Sequence, residues 1–310
     1  MRDRRTVLGP AAGLPLAGAV PRGDWAVGER VPLWPGPPPG ASATLPVLKV
    51  ERRGPPGRSE IWLTGIATPT LHIVRPAQPN GVALLAIPGG GYEFLAWSNE
   101  GVDLARTFAG LGYTVGVLAY RLPAEGWRDR ADVPLQDAQR ATRLLRAHVP
   151  GLKRYGVLGC SAGGHLAATL ATGHGERVYQ PVDAADRRSA RPDFAGLLYP
   201  VTTLALPDTH PGSRAHLLGA DPSAAAVARR SPVEHVDGGT PPCFVLHSFD
   251  DTIVPVACSL RWIEACRAAG VPVEAHLLER GGHGFSVHLS PGNPGALWPA
   301  LFDRWVRERG

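Results

Sequence analysis

The chain is poor in several things, and each scarcity narrows what it can be. Only four of its 310 residues are cysteine (Cys160, Cys243, Cys258 and Cys266), and no two have C-x-x-C spacing. That argues against a structural zinc site, and no disulfide framework is required. Lysine is nearly missing. Of 32 basic residues only Lys49 and Lys153 are not arginine, and the formal charge is a mild +5. The arginines are scattered, and no basic helix interleaved with aromatics appears, so a nucleic-acid partner is not indicated. The arginine bias reads as coding composition. No apolar run is long enough to span a bilayer, so no membrane span is expected. There is no internal repeat. No His, Asp or Glu pair carries defensible metal-ligand spacing, so no metal is expected.

Glycine and proline, by contrast, are abundant (38 and 32), which implies many loops and turns. The length suits one substantial α/β domain. Residues 1–24 read as an export leader. Arg2, Arg4 and Arg5 precede a short apolar stretch from Val7 to Val20, and Ala17-Gly18-Ala19 offers small residues at peptidase spacing. Arg4-Arg5 followed by Thr6-Val7-Leu8 resembles a twin-arginine signal, so the protein is expected to be periplasmic or secreted, and cytoplasmic if the leader does not function. Residues 25–45 read as proline- and glycine-rich extended coil, and 46–310 as the catalytic domain.

Strands are predicted at Val47–Arg52, Thr70–Val74, Val82–Ile87, Tyr113–Leu118, Phe194–Tyr199, Cys243–His247 and Val273–Leu278. Helices are predicted at Gly101–Ala109, Val133–His148 and Leu297–Arg307. Leu204–Pro241 shows no clear strand and reads as helical excursions over the site. Strands alternating with helices imply an α/β architecture, a mostly parallel sheet with helices on both faces.

The stretch that organises the rest is YGVLGCSAGGHLAATL, Tyr155 to Leu170. A short apolar strand enters Gly159-Cys160-Ser161-Ala162-Gly163, and an alanine-rich helix follows from about Gly164. G-x-S-x-G at a strand-to-helix turn is a nucleophile elbow. The turn pushes Ser161 into a strained conformation, and the residues two away on each side must be small so that strand and helix can approach. The helix amides then face negative charge developing on a substrate oxygen.

A serine hydroxyl needs a base, the base needs an acid to orient it, and the oxyanion needs donors. In this architecture the partners follow in the order serine, acid, histidine, on loops after later strands. His283 follows the strand AHLLE, flanked by Gly282 and Gly284, and is read as general base. Two adjacent acids follow CFVLH. Asp251, four after His247 and four before Pro255, is preferred over Asp250, for which a turn or capping role is the competing reading. The oxyanion donors are read as the amides of Ala162, Gly89 and Gly90, the glycines coming from Pro88-Gly89-Gly90-Gly91-Tyr92 after the apolar strand VALLAI. Tyr92, Trp97 and Phe285 are read as walls of a small acyl pocket, with core packing as the equal alternative.

With these pieces placed, the chain resembles the α/β-hydrolase superfamily across residues 45–308, and within it the bacterial acetylxylan-esterase-like and hormone-sensitive-lipase-like carboxylesterases. The glycine run, Tyr120-Arg121-Leu122, the helix start PLQDAQRA (Pro134 to Ala141), the elbow, Ser189 to Phe194, Asp251-Thr252-Ile253-Val254-Pro255 and Gly281-Gly282-His283-Gly284-Phe285 carry the resemblance. Pro88 stands where the lipase branch has a histidine, which fits the esterase branch. The resemblance implies hydrolysis of short acyl esters, often acetyl groups on plant polysaccharide, without a cofactor. The partner expected is thus a small-molecule or saccharide ester, and the oligomeric state is left open. Two other readings stand beside it. A prolyl-oligopeptidase-type peptidase shares the triad order, but only about 60 residues lie between the leader and the first central strand, too few for a propeller. A non-catalytic hydrolase-fold binder would normally lack a member of the triad.

Overall fold

A computed structural model describes residues 25–54 and 59–309. The leader expected at 1–24 lies outside the described residues. The strands are β1 (Glu29–Pro32), β2 (Lys49–Arg53), β3 (Glu60–Thr64), β4 (Thr70–Val74), β5 (Val82–Ile87), β6 (Leu95–Ala96), β7 (Thr114–Ala119), β8 (Arg154–Cys160), β9 (Phe194–Leu198), β10 (Cys243–Ser248) and β11 (Val273–Leu278). The α-helices are α1 (Leu104–Gly110), α2 (Val133–His148), α3 (Ala162–Gly173), α4 (Pro211–Leu218), α5 (Ala224–Arg229), α6 (Ala257–Ala268) and α7 (Trp298–Arg307).

Eight strands form the main sheet in the order β1-β4-β7-β5-β8-β9-β10-β11. From β7 to β11 every pairing is parallel, while β1 and β4 close one edge antiparallel. The central strands read as unbroken apolar runs because both faces are covered. Leu84, Leu85, Val115, Val117, Val157, Leu158, Leu197 and Val245 are all fully buried. The last helix is held by aromatics, Phe302 and Trp305 packing edge-on against Phe194 and Phe244.

The segment 25–45, read from composition as surface coil, differs from that expectation. It supplies β1, whose register pairs Glu29 with Ile73 and Pro32 with Thr70. Trp25 and Trp34 from the same segment are buried. Proline and glycine content concealed them, since four polar-flanked residues at a sheet edge carry no apolar run. Trp34 donates its indole N–H to Asp137 Oδ1 at 2.9 Å, and Arg121 spans the same carboxylate from β7's end through its backbone N–H and side chain. Both charges of the Arg121–Asp137 pair are completely buried. Tyr120-Arg121-Leu122 and the start of α2 are therefore tied by an ion pair whose breakage typically costs about 3–5 kcal/mol.

A second sheet, also unforeseen, pairs β2-β3-β6 antiparallel. The first three residues of the helix predicted at Gly101–Ala109 belong instead to a π-helical stretch, Trp97–Asp103, and α1 begins at Leu104. Such widened turns recur at functional sites. Leu204–Pro241 forms α4, α5 and a 3-10 turn at Pro232–His235, as its lack of strand pattern suggested.

Candidate active site

The site lies where β5, β8, β10 and β11 end. β8 delivers the elbow, and Ser161 adopts φ 55°, ψ −121°. That backbone is strained for a side-chain-bearing residue. The glycines are required by contact. A Cβ on Gly159 would sit 2.2 Å from the Gly163 carbonyl oxygen, and one on Gly163 would sit 2.1 Å from that of Ile87. Strand β8, helix α3 and strand β5 thus meet with no room for a methyl group.

The structure brings Ser161, His283 and Asp251 together in one hydrogen-bonded chain. His283 Nε2 is 2.9 Å from Ser161 Oγ, and His283 Nδ1 is 2.7 Å from Asp251 Oδ2. Asp251 is held on every side. Its Oδ2 also meets His247 Nε2 at 3.1 Å, and its Oδ1 accepts the N–H groups of Ile253 and Val254 at 2.8 and 2.9 Å. Burial alone would raise this carboxyl, but the bonds from His247 and His283 outweigh it and hold Asp251 well below the usual carboxylate range. The neighbouring Asp250 faces away. It accepts the Gly281 and Gly282 N–H groups at 2.9 and 2.8 Å, which fixes the loop carrying His283.

Of the three amides read as oxyanion donors, two stay available in position and one does not. Ala162 is the first residue of α3, so its N–H belongs to the helix-end donors that have no intrahelical partner. Gly90, at φ 114°, lines the cavity beside Ser161. Gly89 departs from the expectation. Its N–H is spent on the buried carboxylate of Glu100, at 2.7 Å from Oε2.

Sequence reasoning missed Glu100. It is 3% exposed, and its other oxygen accepts the Tyr199 hydroxyl at 2.9 Å. Tyr199 in turn accepts the Ser286 N–H at 3.0 Å and lies edge-on to the His283 ring, centroids 4.8 Å apart. Burial lifts Glu100 above its ordinary value, opposed by the charge on His283, the Gly89 N–H and the Tyr199 hydroxyl. A lone acid in WSNEG carries no local motif. Only the fold shows that it joins the glycine loop to the histidine loop. Cys160, next to the serine, is fully buried and its thiol is pushed well up by burial, so it is a packing residue rather than a nucleophile.

The three aromatics read as pocket walls are not in the pocket. Trp97 is fully buried against Trp25 and His72, its indole N–H donated to the Trp25 carbonyl at 2.7 Å. Tyr92 is buried with its hydroxyl 2.7 Å from His165 Nδ1. Phe285 packs edge-on against Tyr199. None lines the cavity over Ser161, which is about 610 Å³ and takes its walls from elsewhere: Trp62 on β3, Phe94 just before β6, Ile253, and His210 and His216 on α4 and its cap. Among the described residues no cluster of three His, Cys, Asp or Glu could hold a metal ion, and no helix is long and apolar enough to cross a membrane.

A family model, BD-FAE, matches residues 71–265. An endo-1,4-beta-xylanase B of Butyrivibrio fibrisolvens is 34% identical over 208 residues, 66% of this chain and 32% of that protein. An acetylxylan esterase of Xylanibacter ruminicola is 30% identical over 220 residues, 68% of this chain and 42% of that protein. The chain thus spans less than half the length of both curated relatives. Among solved structures, an acetyl ester-xyloside bifunctional hydrolase from Caldicellulosiruptor lactoaceticus superposes with a TM-score of 0.74 at 31% identity, over 92% of this chain and 97% of that one.

Proposed function

We propose that this chain, which belongs to the BD-FAE family and has the α/β-hydrolase fold, is a serine carboxylic-ester hydrolase that removes short acyl groups, acetyl foremost, from xylan or related saccharides. The observation that carries the ester reading is the continuous chain Ser161 Oγ–His283–Asp251 at 2.9 and 2.7 Å. The names of the xylan-acting relatives support the saccharide.

In this reading Ser161 Oγ attacks the acyl carbon while its proton passes to His283 Nε2. Asp251, kept ionised by four donors, holds the Nδ1–H and stabilises the imidazolium that forms. The amides of Ala162 and Gly90 receive the oxyanion, each such donor contributing about 3 kcal/mol to the transition state. Collapse of the tetrahedral intermediate breaks the bond to the alcohol oxygen, which leaves with the proton from Nε2. Water then attacks the acyl-serine with His283 as base, and the free acid departs. The twin-arginine-like leader at 1–24 supports export, where polysaccharide would be met.

The test is a series of p-nitrophenyl esters from acetate to octanoate, with acetylated xylan and a peptide amide alongside. Activity concentrated on acetate and acetylated xylan is expected, and Ser161→Ala is expected to abolish it while the protein stays folded. Preference for butyrate or longer chains without xylan activity would make it a general carboxylesterase. Amide cleavage alone would make it a peptidase, and no turnover on any substrate would leave a binding protein. Substantial turnover in Ser161→Ala would sink the mechanism.

A further inference from the structure

The cavity over Ser161 is far larger than a two-carbon acyl group needs, and its volume of about 610 Å³ falls in the range of sites that enclose a whole ring-sized ligand. The cavity therefore has room for the alcohol half of the ester as well, and the histidines of α4 and its cap bear on what that half would meet.

Each has its tautomer fixed by the backbone. His210 caps α4, its Nδ1 accepting the Ser213 N–H at 3.2 Å, with Ser213 Oγ at 2.9 Å. A ring nitrogen that accepts an N–H cannot carry a proton, so the neutral ring bears its hydrogen on Nε2. Burial, then the nearby His283 and His216, push the His210 pKa down, which keeps the ring neutral. His216 is the reverse case. Its Nδ1 lies 3.0 Å from the Gly91 carbonyl oxygen, which can only accept, so Nδ1 carries a proton and the neutral ring has its lone pair on Nε2. Both rings line the cavity. The wall contributed by α4 and its cap thus offers a donor at His210 and, in the neutral ring, an acceptor at His216.

The wall from the second sheet is of another kind. Trp62 on β3 and Phe94 are stacked with centroids 3.7 Å apart and planes 12° from parallel, both half-buried and both lining the cavity. Arg53 lies over the Trp62 ring, 5.6 Å from its centroid, so the stacked pair lends the cavity a stiff apolar wall made of ring edges and the outer face of Phe94.

We propose that this is a sugar subsite: the alcohol half of the substrate is a polyhydroxylated ring, with its C–H surface on Trp62 and Phe94 and a hydroxyl read by His210 Nε2–H and His216 Nε2. A hydroxyl both donates and accepts, so it can answer a donor nitrogen and an acceptor nitrogen with one group. A ring without hydroxyls leaves both unpaired and desolvated, the situation in which sites discriminate most strongly. The subsite rests on the saccharide-ester reading above, and adds to it the residues that would enforce it.

The experiment compares two ring acetates that differ in hydroxyls, methyl 2-O-acetyl-xyloside and cyclohexyl acetate, by the rate of acetate release. The wild type should prefer the xyloside in kcat/KM. His210→Asn keeps an N-cap acceptor for Ser213 but withdraws the Nε2–H, and His216→Phe keeps a ring but no acceptor. Each should lower the xyloside-to-cyclohexyl ratio by about tenfold or more. A wild-type preference that survives in both variants would overturn the subsite while sparing the saccharide reading. A wild type that cleaves cyclohexyl acetate as well as the xyloside would overturn both.

Discussion

Glu100 offers the sharpest test of how the site is built, because two substitutions there separate acceptor from charge. Glu100→Ala removes the partner of two buried donors, the Gly89 N–H at 2.7 Å and the Tyr199 hydroxyl at 2.9 Å. An orphaned buried donor costs about 1–3 kcal/mol, so the alanine variant should lose about 2–6 kcal/mol, a large share of a typical domain stability of about 5–15 kcal/mol. Glu100→Gln supplies an amide oxygen for Gly89 and an N–H for the Tyr199 oxygen, and should lose far less. The catalytic consequence follows from what Glu100 touches. Gly89 precedes Gly90, and Tyr199 packs against His283. Under the proposed mechanism, freeing both loops displaces the Gly90 donor and the His283 base together, for which about 10²-fold in kcat is expected of the alanine variant on p-nitrophenyl acetate, with KM little changed. The glutamine variant should stay within about tenfold of wild type.

The pH dependence supplies an independent readout. Glu100 has its pKa raised by burial above its ordinary value of 4.5. A carboxyl raised in the folded state contributes stability that is complete below its unfolded pKa and is lost as pH rises through the folded one. Glutamine does not titrate. Urea unfolding of the two proteins should therefore show Glu100→Gln gaining on wild type as pH rises above about 4.5. A glutamine variant as damaged in kcat as alanine, or an alanine variant with wild-type kcat, would refute the positioning role.

Asp251 carries the opposite sign. Its carboxyl is held below the ordinary range, so its stabilisation is present above the unfolded carboxylate pKa and disappears only in stronger acid, as pH falls through the folded value. Asp251→Asn should be less stable than wild type from neutral pH down to about 4, the difference closing only below that, and should lose about 10⁴-fold in kcat through the wrong His283 tautomer. A stability gap already closed at pH 5, or a kcat within tenfold of wild type, would contradict this. His72 and His165, both buried, are lowered by burial from 6.5 to about 4. A histidine depressed in the folded state stabilises above its unfolded pKa and ceases to as pH falls through the folded one, worth about 3 kcal/mol for each ring. Unfolding free energies measured at pH 7, 5.5 and 4 should fall by several kcal/mol, and a flat profile would show that one or both rings accept a proton in the fold.

How much of this was legible in the sequence depended on whether the signal was local. The elbow was readable because Gly159, Ser161 and Gly163 must obey sterics within five residues. The parallel sheet was readable because strands covered on both faces, such as Val82–Ile87, are apolar throughout. The pocket was not. Tyr92 and Trp97 stand next to the glycine run in sequence, but adjacency does not decide which way a side chain faces. Trp97 is claimed by Trp25, 72 residues away, and Tyr92 by His165, 73 away. The residues that do face Ser161 come from the second sheet and from α4, elements with weak or absent periodicity. The Gly89 amide was misjudged for a related reason. A glycine run shows that backbone can come close to something, and here one of its amides meets a protein carboxylate.

Three acids around His283 show what separates roles that sequence leaves equal. Asp250 and Asp251 are adjacent, and Glu100 has no motif at all. The fold gives each a different surrounding. Asp250 is exposed and accepts the Gly281 and Gly282 N–H groups of the histidine loop, which makes it a turn-fixing residue. Asp251 is buried with four donors, which keeps it charged against His283 Nδ1. Glu100 is buried with two donors, too few to cancel its desolvation, so its carboxyl is lifted where that of Asp251 is depressed. The count of donors, set by the loops that β5, β9, β10 and β11 deliver, is thus what divides three carboxyl groups into a loop clamp, a firmly ionised partner of His283 and a buried tie between the glycine loop and Tyr199.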